Sequence, residues 1–229
     1  MKIKGLQKTT LLDYPEKLAC TVFTGGCNFR CPFCHNAALV LNPSGVEEIS
    51  EEEFFSYVSK RKGVLDGVCI TGGEPLLSPD ISEFIKKIRS FGLLVKLDTN
   101  GSFPDRLDAL LNENLLDYVA MDIKNSTDKY AITAGVNAYP IEIEKSIDII
   151  MEKAPDYEFR TTVVKELHTT QDIVNIAVRI KNAKKYYIQS YVDSGDIISG
   201  GFSAYSPAKM LEILKSAQEI LPVTSLRGI

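Results

Sequence analysis

The chain has 229 residues, 45% hydrophobic and 24% charged, with a formal net charge of −4 and five cysteines. That length and balance suit one α/β domain with a large core and give no basic footprint for nucleic acid, and no apolar run approaches the ~20 residues of a membrane helix. The N-terminal MKIKGLQKTTLLDYPEK has neither a signal-peptide apolar stretch nor a small-residue cleavage site, so the expected compartment is the cytoplasm, where cysteines read as metal ligands, reactive thiols or buried apolar residues rather than disulfides.

Strand-like apolar runs alternate with amphipathic segments, the signature of βα units. Strands are expected near residues 20–24, 67–71, 94–98, 118–123, 159–164 and 186–191. Ser50 with Glu53 reads as a capping box ahead of a helix whose Phe54, Phe55, Tyr57 and Val58 form a packing face. Gly92 closes a helix begun near Ser78, Thr169 with Asp172 caps one running through Ile180, and Ser206 with Pro207 opens the last. Residues 1–17 read as a short extension to a single domain over 1–229. Six parallel units are too few for a closed eight-stranded barrel; with the motif below they favour an incomplete (β/α)6 barrel, although the pattern alone also fits a flavodoxin-like sheet.

The longest gap between expected strands holds GGCNFRCPFCHN, with Cys27, Cys31 and Cys34 spaced C-x3-C-x2-C. Four chemistries compete for it. A structural zinc site wants four protein ligands, and His35 is awkwardly placed beside Cys34 to be the fourth. CPFCH also matches c-type haem attachment, which needs an exported protein and leaves Cys27 unexplained, and a Cys31/Cys34 redox pair leaves Cys27 unexplained too. A [4Fe-4S] cluster on three thiolates uses all three cysteines and leaves one iron open to a ligand that is not protein.

C-x3-C-x2-C with an aromatic residue, Phe33, before the third cysteine resembles the signature of the radical S-adenosylmethionine (SAM) enzymes, in which SAM takes the open iron through its amino and carboxylate groups. On this resemblance Cys27, Cys31 and Cys34 are the cluster ligands, and Phe33 flanks the cofactor. Gly72, Gly73 and Glu74 of ITGGEPLL resemble the segment that holds the methionyl ammonium through backbone carbonyls and the Glu74 carboxylate. Without the cysteine loop, GGEP would read as an ordinary βα turn.

DTNG at Asp98 to Gly101, followed by the D-x-K of Asp122 and Lys124, resembles the activating enzymes of glycyl radical enzymes. The resemblance implies a monovalent cation site beside the SAM carboxylate to which Asp98 and Thr99 contribute, Asp122 and Lys124 lying toward a peptide substrate, and Arg160 near SAM. The bland alternatives are helix caps at Asp98 and Thr99, a solvated Lys124, and an Arg160 that merely pairs with an acidic neighbour. Gln189 is a weaker candidate, His168 reads as a turn residue, and Cys20 and Cys69 read as buried small residues.

The stretch GLQKTTLLDYPEKLACTVFTGGCNFRCPFCHN resembles the longer type of activating protein for anaerobic ribonucleoside-triphosphate reductase. That implies reductive SAM cleavage to a 5′-deoxyadenosyl radical, which takes hydrogen from a glycine Cα of the partner enzyme. Activators of pyruvate formate-lyase carry a His after the sixth strand, where this chain has Ser190, Tyr191 and Val192. No second cysteine set is present for a further cluster, so flavodoxin or ferredoxin is the expected electron donor. No nucleic-acid or membrane partner is expected. Activation of another glycyl radical enzyme, radical chemistry on a small molecule, a zinc-binding module and a simple electron carrier are the alternatives.

Overall fold

In the computed structural model, which describes residues 1–137 and 140–228, the apolar runs assemble into one sheet whose strands lie in chain order. They are β1 (Ile3–Thr10), β2 (Ala19–Thr24), β3 (Gly67–Gly72), β4 (Leu94–Thr99), β5 (Tyr118–Asp122), β6 (Tyr157–Val163), β7 (Tyr186–Ser190) and β8 (Thr224–Arg227). Strands β2 to β8 are parallel, each to its neighbour, and β1 runs antiparallel to β2. No pairing joins β1 to β8 among the described residues, so the sheet is open between them, as expected for a partial barrel.

The six expected strands are β2 to β7. The two that sequence reading leaves out are the edges, for a physical reason. In β1, IKGLQKTT, only Ile3 and Thr10 are buried, so no apolar alternation marks it, and within the expected short extension this strand pairs with β2 and covers one sheet edge. β8 has only four residues, TSLR, of which Thr224 alone is buried.

The helices are α1 (Ala37–Leu41), α2 (Glu51–Lys60), α3 (Ile81–Ser90), α4 (Pro104–Asn112), α5 (Tyr130–Ala134), α6 (Pro140–Lys153), α7 (Thr170–Arg179) and α8 (Pro207–Gln218). Ser50 accepts a hydrogen bond from the Glu53 amide at the start of α2, and Thr169 with Asp172 forms a full capping box on α7. Ser206 caps α8 ahead of Pro207. The Ser78 expected to open α3 instead ends a short 3-10 turn, and the helix starts at Ile81.

The main core lies between the sheet's outer face and the helices. Val22, Ile70, Leu97, Met121, Phe159 and Ile188 from successive strands belong to it, together with Phe54, Ile85, Leu107, Ile147 and Ile176 from the helices. Each such fully buried side chain contributes about 1.5–3 kcal/mol. The inner face has only a small apolar plug, Tyr14, Ala19, Tyr118 and Ala120. The residues that alternate with the core positions are therefore free to be polar, and they build the site.

The chain enters β2 through a turn closed by a hydrogen bond from the Lys17 amide to the Tyr14 carbonyl (3.2 Å), with Pro15 second and Glu16 third. Glu16 has φ +60°, a left-handed value that this turn position normally gives to glycine, and its side chain is exposed. Glu16→Gly should therefore stabilise the protein by about 0.5–1 kcal/mol in urea unfolding, and an unchanged or lowered stability would contradict the strain.

Candidate active site

The cysteine loop leaves the C-terminal end of β2 and is held by backbone bonds to four neighbouring segments. Gly26 donates to Leu39 O (2.8 Å), Arg30 to Ala134 O (2.8 Å), and Pro32 O accepts from Ser199 (2.8 Å). The fourth tie comes from the loop after β3, where the Glu74 amide donates to Gly26 O (2.9 Å). That close approach explains the glycine: a Cβ at Gly73 would stand 1.8 Å from Gly26 O. Phe33 is buried edge-on against Phe202, at 6.5 Å between ring centroids.

All three loop cysteines are free thiols, Cys31 buried and Cys27 and Cys34 half-buried. Burial pushes Cys31 up to about 12, opposed chiefly by the Lys124 ammonium. Cys27 is also raised by burial, against a hydrogen bond from the Phe29 amide (3.3 Å). Ionising these thiols in place requires added positive charge, which iron supplies.

Glu74 departs from expectation. Its carboxylate is 1% exposed and points away from the cavity, accepting from Leu76 N (3.1 Å), Thr99 Oγ1 (2.9 Å) and Asn100 N (2.7 Å). Both oxygens are thus spent on bracing β3 against β4, and of the GGE segment only Gly72 and Gly73 line the cavity. Thr99, rather than capping a helix, orients Glu74.

Asp98, Asp122 and Arg160 project inward from β4, β5 and β6, and Lys124 follows β5. Lys124 Nζ pairs with Asp122 Oδ2 (3.1 Å), Asp122 Oδ1 with Arg160 Nε (2.8 Å), and Arg160 Nη1 with Asp98 Oδ2 (3.1 Å). Lys96, fully buried, pairs with Asp98 Oδ1 from below. Burial alone would raise Asp122, but Arg160 and Lys124 outweigh it and hold its carboxyl well below the usual carboxylate range. Burial alone would lower Lys124, but Asp122, with a smaller share from Cys31, outweighs it and keeps the ammonium protonated. Neither a solvated Lys124 nor a helix-capping Asp98 is found.

The ion chain forms the floor of a cavity of about 530 Å³, within the ordinary range for small-molecule sites. Cys27, Cys31, Cys34 and Phe33 form one wall. Gly72, Gly73 and Thr99 form a second, and Gln189, Ser190, Tyr191 and Val192 contribute the side after β7. His35 stands exposed at its mouth. Every expected site residue except Glu74 therefore faces one space.

Sequence reading misses three supporting residues. His168 is buried, with Nδ1 accepting from the Val164 amide (3.1 Å), which leaves Nε2–H to donate to Lys124 O (2.8 Å), so it anchors the backbone that carries Lys124. Asn100 donates through Nδ2 to Asn28 Oδ1 (2.9 Å) and lies 3.8 Å from Cys27 Sγ, tying the DTNG segment to the cysteine loop. Asn36 donates to Gly72 O (3.1 Å). The polar letters of DTNG and CHN are the only signal for the asparagines, and a lone His before a helix gives none.

The donor set suits the cluster. Among the described residues no three His, Cys, Asp or Glu side chains gather tightly enough to hold a single metal ion. A cubane spreads its thiolates over separate irons, and these three free cysteines face one cavity with space beside them for a further ligand.

A family model described as the radical SAM superfamily matches residues 21–178. A protein of Methanocaldococcus jannaschii assigned as a glycyl-radical enzyme activating enzyme is 34% identical over 197 residues, covering 82% of this chain and 79% of that protein. The pyruvate formate-lyase-activating enzyme of Clostridium pasteurianum is 25% identical over 198 residues, 83% of this chain and 82% of that one. In fold, the chain is similar to Streptococcus suis SuiB bound to S-adenosylmethionine, with a TM-score of 0.68 and 14% identity over 90% of this chain and 49% of that one.

Two predictions come from this geometry. Burial pushes the Glu74 carboxyl up to about 7 in spite of its three donors, so the folded state holds this proton more tightly than the unfolded chain does. The contribution of Glu74 to stability should be full below the ordinary value of 4.5 and fall by up to about 3 kcal/mol as pH rises through about 7. Asp98 and Asp122, both depressed, act in the opposite sense below their ordinary 3.8, and His168, held down by burial, does so below its ordinary 6.5. The stability of the wild type relative to Glu74→Gln, from urea unfolding of the iron-free proteins, should therefore fall between pH 4.5 and 7; a difference that does not change with pH would contradict this. Gly73→Ala should leave the chain folded by circular dichroism but lower iron retained after anaerobic reconstitution at least about fivefold, since the new methyl must push the cysteine loop away, and full iron loading would contradict the tight approach.

Proposed function

The chain belongs to the radical SAM superfamily, and we propose that it activates a glycyl radical enzyme, with an anaerobic ribonucleoside-triphosphate reductase as the partner. Enzymes of this superfamily use a [4Fe-4S] cluster and SAM; when bound, the two supply one electron to the sulfonium and a 5′-deoxyadenosyl radical that removes hydrogen from the partner's glycine. The observation that carries the reading is the single cavity in which three free thiols face the Lys124–Asp122–Arg160–Asp98 chain.

Cys27, Cys31 and Cys34 hold the cluster, and Phe33 closes the wall beside it. Gly72 and Gly73 give the methionyl ammonium a surface of backbone with no side chain in the way. Glu74 acts one step back, keeping that backbone in place through Thr99 and Asn100. Arg160 is the donor for the methionyl carboxylate, and Asp98 and Asp122 fix its guanidinium. Lys124 and Asp122 face the peptide, and His168 fixes the backbone carbonyl of Lys124.

The open side of the sheet between β1 and β8 suits a macromolecular substrate, because a glycine-bearing loop can enter a site that a closed barrel would shut out. Similarity to the M. jannaschii and C. pasteurianum proteins supports activation of a glycyl radical enzyme in general. The choice of the reductase rests on the N-terminal resemblance and on Ser190, Tyr191 and Val192 lining the cavity where pyruvate formate-lyase activators are expected to have a histidine. With one cysteine set, the reducing electron comes from a flavodoxin or ferredoxin.

The test is anaerobic. Reconstituted protein given dithionite, SAM and the reductase should generate 5′-deoxyadenosine and a glycyl-radical EPR doublet on the reductase. Any of Cys27→Ala, Cys31→Ala or Cys34→Ala should reduce both by at least about a hundredfold, in line with loss of a cluster ligand. A doublet on another glycyl radical enzyme but not on the reductase would replace the partner. Stoichiometric zinc with no SAM cleavage would overturn the activity itself.

A further inference from the structure

The ionisable side chains that line the cavity do not balance. Asp13, Asp98 and Asp122 are carboxylates, against two fixed cations, Lys124 and Arg160, with His35 exposed at the mouth. A cavity with three carboxylates and two fixed cations attracts one more positive charge. Here that charge lies under the floor. Lys96 occupies the inward position two residues before Asp98 on β4, where its side chain is 2% exposed, and its Nζ pairs with Asp98 Oδ1. Its other neighbours are Cys69 Sγ at 3.7 Å and the Tyr118 ring at 5.9 Å.

Asp98 is also saturated. Oδ1 accepts from Lys96 Nζ and Cys69 Sγ (3.8 Å), and Oδ2 from Arg160 Nη1 (3.1 Å) and Thr71 Oγ1 (3.3 Å). Four donors fill the roughly four lone-pair sites of a carboxylate. A free Na⁺ or K⁺ at this carboxylate would have to displace one donor and lie against two other cations. The monovalent cation site implied by resemblance therefore does not fit Asp98 as this chain builds it.

We infer that the Lys96 ammonium is the resident monovalent cation of this site: a positioning residue that keeps Asp98 ionised and aimed at Arg160, so that SAM binds without a free metal cation. The inference rests on the reading of the cavity as the SAM site. A buried lysine is costly unless it is paired, and a stability role alone would be served as well by an apolar residue opposite a neutral partner. Keeping the charge has a use only if Asp98 must stay anionic beneath the ligand.

The test measures SAM affinity of the cluster-loaded protein by equilibrium dialysis at constant ionic strength, with choline, Na⁺, K⁺ or NH4⁺ as the sole small cation. The wild type should bind SAM equally, within about twofold, in all four media, while Lys96→Met should bind at least about tenfold more weakly in choline and recover in K⁺ or NH4⁺. Lys96→Arg, which keeps the charge, should retain cation independence. A wild type that needs Na⁺ or K⁺ would overturn the role of Lys96 while leaving the SAM site intact, and this arm needs no variant to fold. A folded Lys96→Met that is equally weak in every medium, or that matches the wild type in choline, would also overturn it. SAM that binds the wild type in no medium would overturn the site reading and this inference together.

Discussion

A half-open parallel sheet cannot leave a charge unpaired on its concave face, and this constraint organises the molecule. The outer face takes the apolar residues and packs against helices, leaving the inward positions of β4, β5 and β6 to Lys96, Asp98, Asp122, Glu158 and Arg160. Each of these is satisfied by a neighbour of opposite sign. Glu158, below the chain already described, takes both nitrogens of Arg227 from β8 (2.8 and 2.9 Å) and the Tyr118 hydroxyl (2.9 Å). The short edge strand that sequence reading leaves out thus completes the charge pairing of the interior. A fully paired network of this kind is rigid because breaking any one member strands a buried charge, at a cost of several kcal/mol.

Rigidity below and tethering above hold the site together. The cysteine loop has no regular secondary structure until α1, yet backbone hydrogen bonds to α1, α5, the β3 loop and the segment after β7 hold it at several points. Glu74 shows how this is done. A carboxylate that resemblance assigns to the cofactor serves as the brace between two loops, and the surface left for the ligand is glycine backbone. The shape of the cavity then depends on residues outside its lining, Glu74 and His168, as well as on those that face it.

What was legible in the sequence follows from how local each signal is. The cysteine spacing, the glycine pair and the capping residues of α2, α7 and α8 act within a few positions of themselves, and each is found where expected. Asp98, Asp122, Lys124 and Arg160 could be assigned to strand ends because strand periodicity fixes which residues reach the rim. The remaining features depend on distant partners. His168 lies 44 positions from the carbonyl it meets, Asn100 lies 73 positions from Cys27, and the direction of Glu74 is set by donors on the next strand. β1 was illegible because its pairing with β2 rests on backbone hydrogen bonds, to which its polar side chains give no clue. Lys96 sits in a strand that otherwise reads as apolar, and an isolated charge there was the one available hint.

The central claim is that the polypeptide supplies three ligands to a four-iron cluster and SAM supplies the remainder. The most direct measurement is electron-nuclear double resonance on the reduced, anaerobically reconstituted protein with SAM isotopically labelled at its amino nitrogen and carboxylate oxygens. The account predicts hyperfine coupling of both labels to the cluster. A reduced cluster that shows neither coupling, with all of its irons bound by side chains, would contradict it.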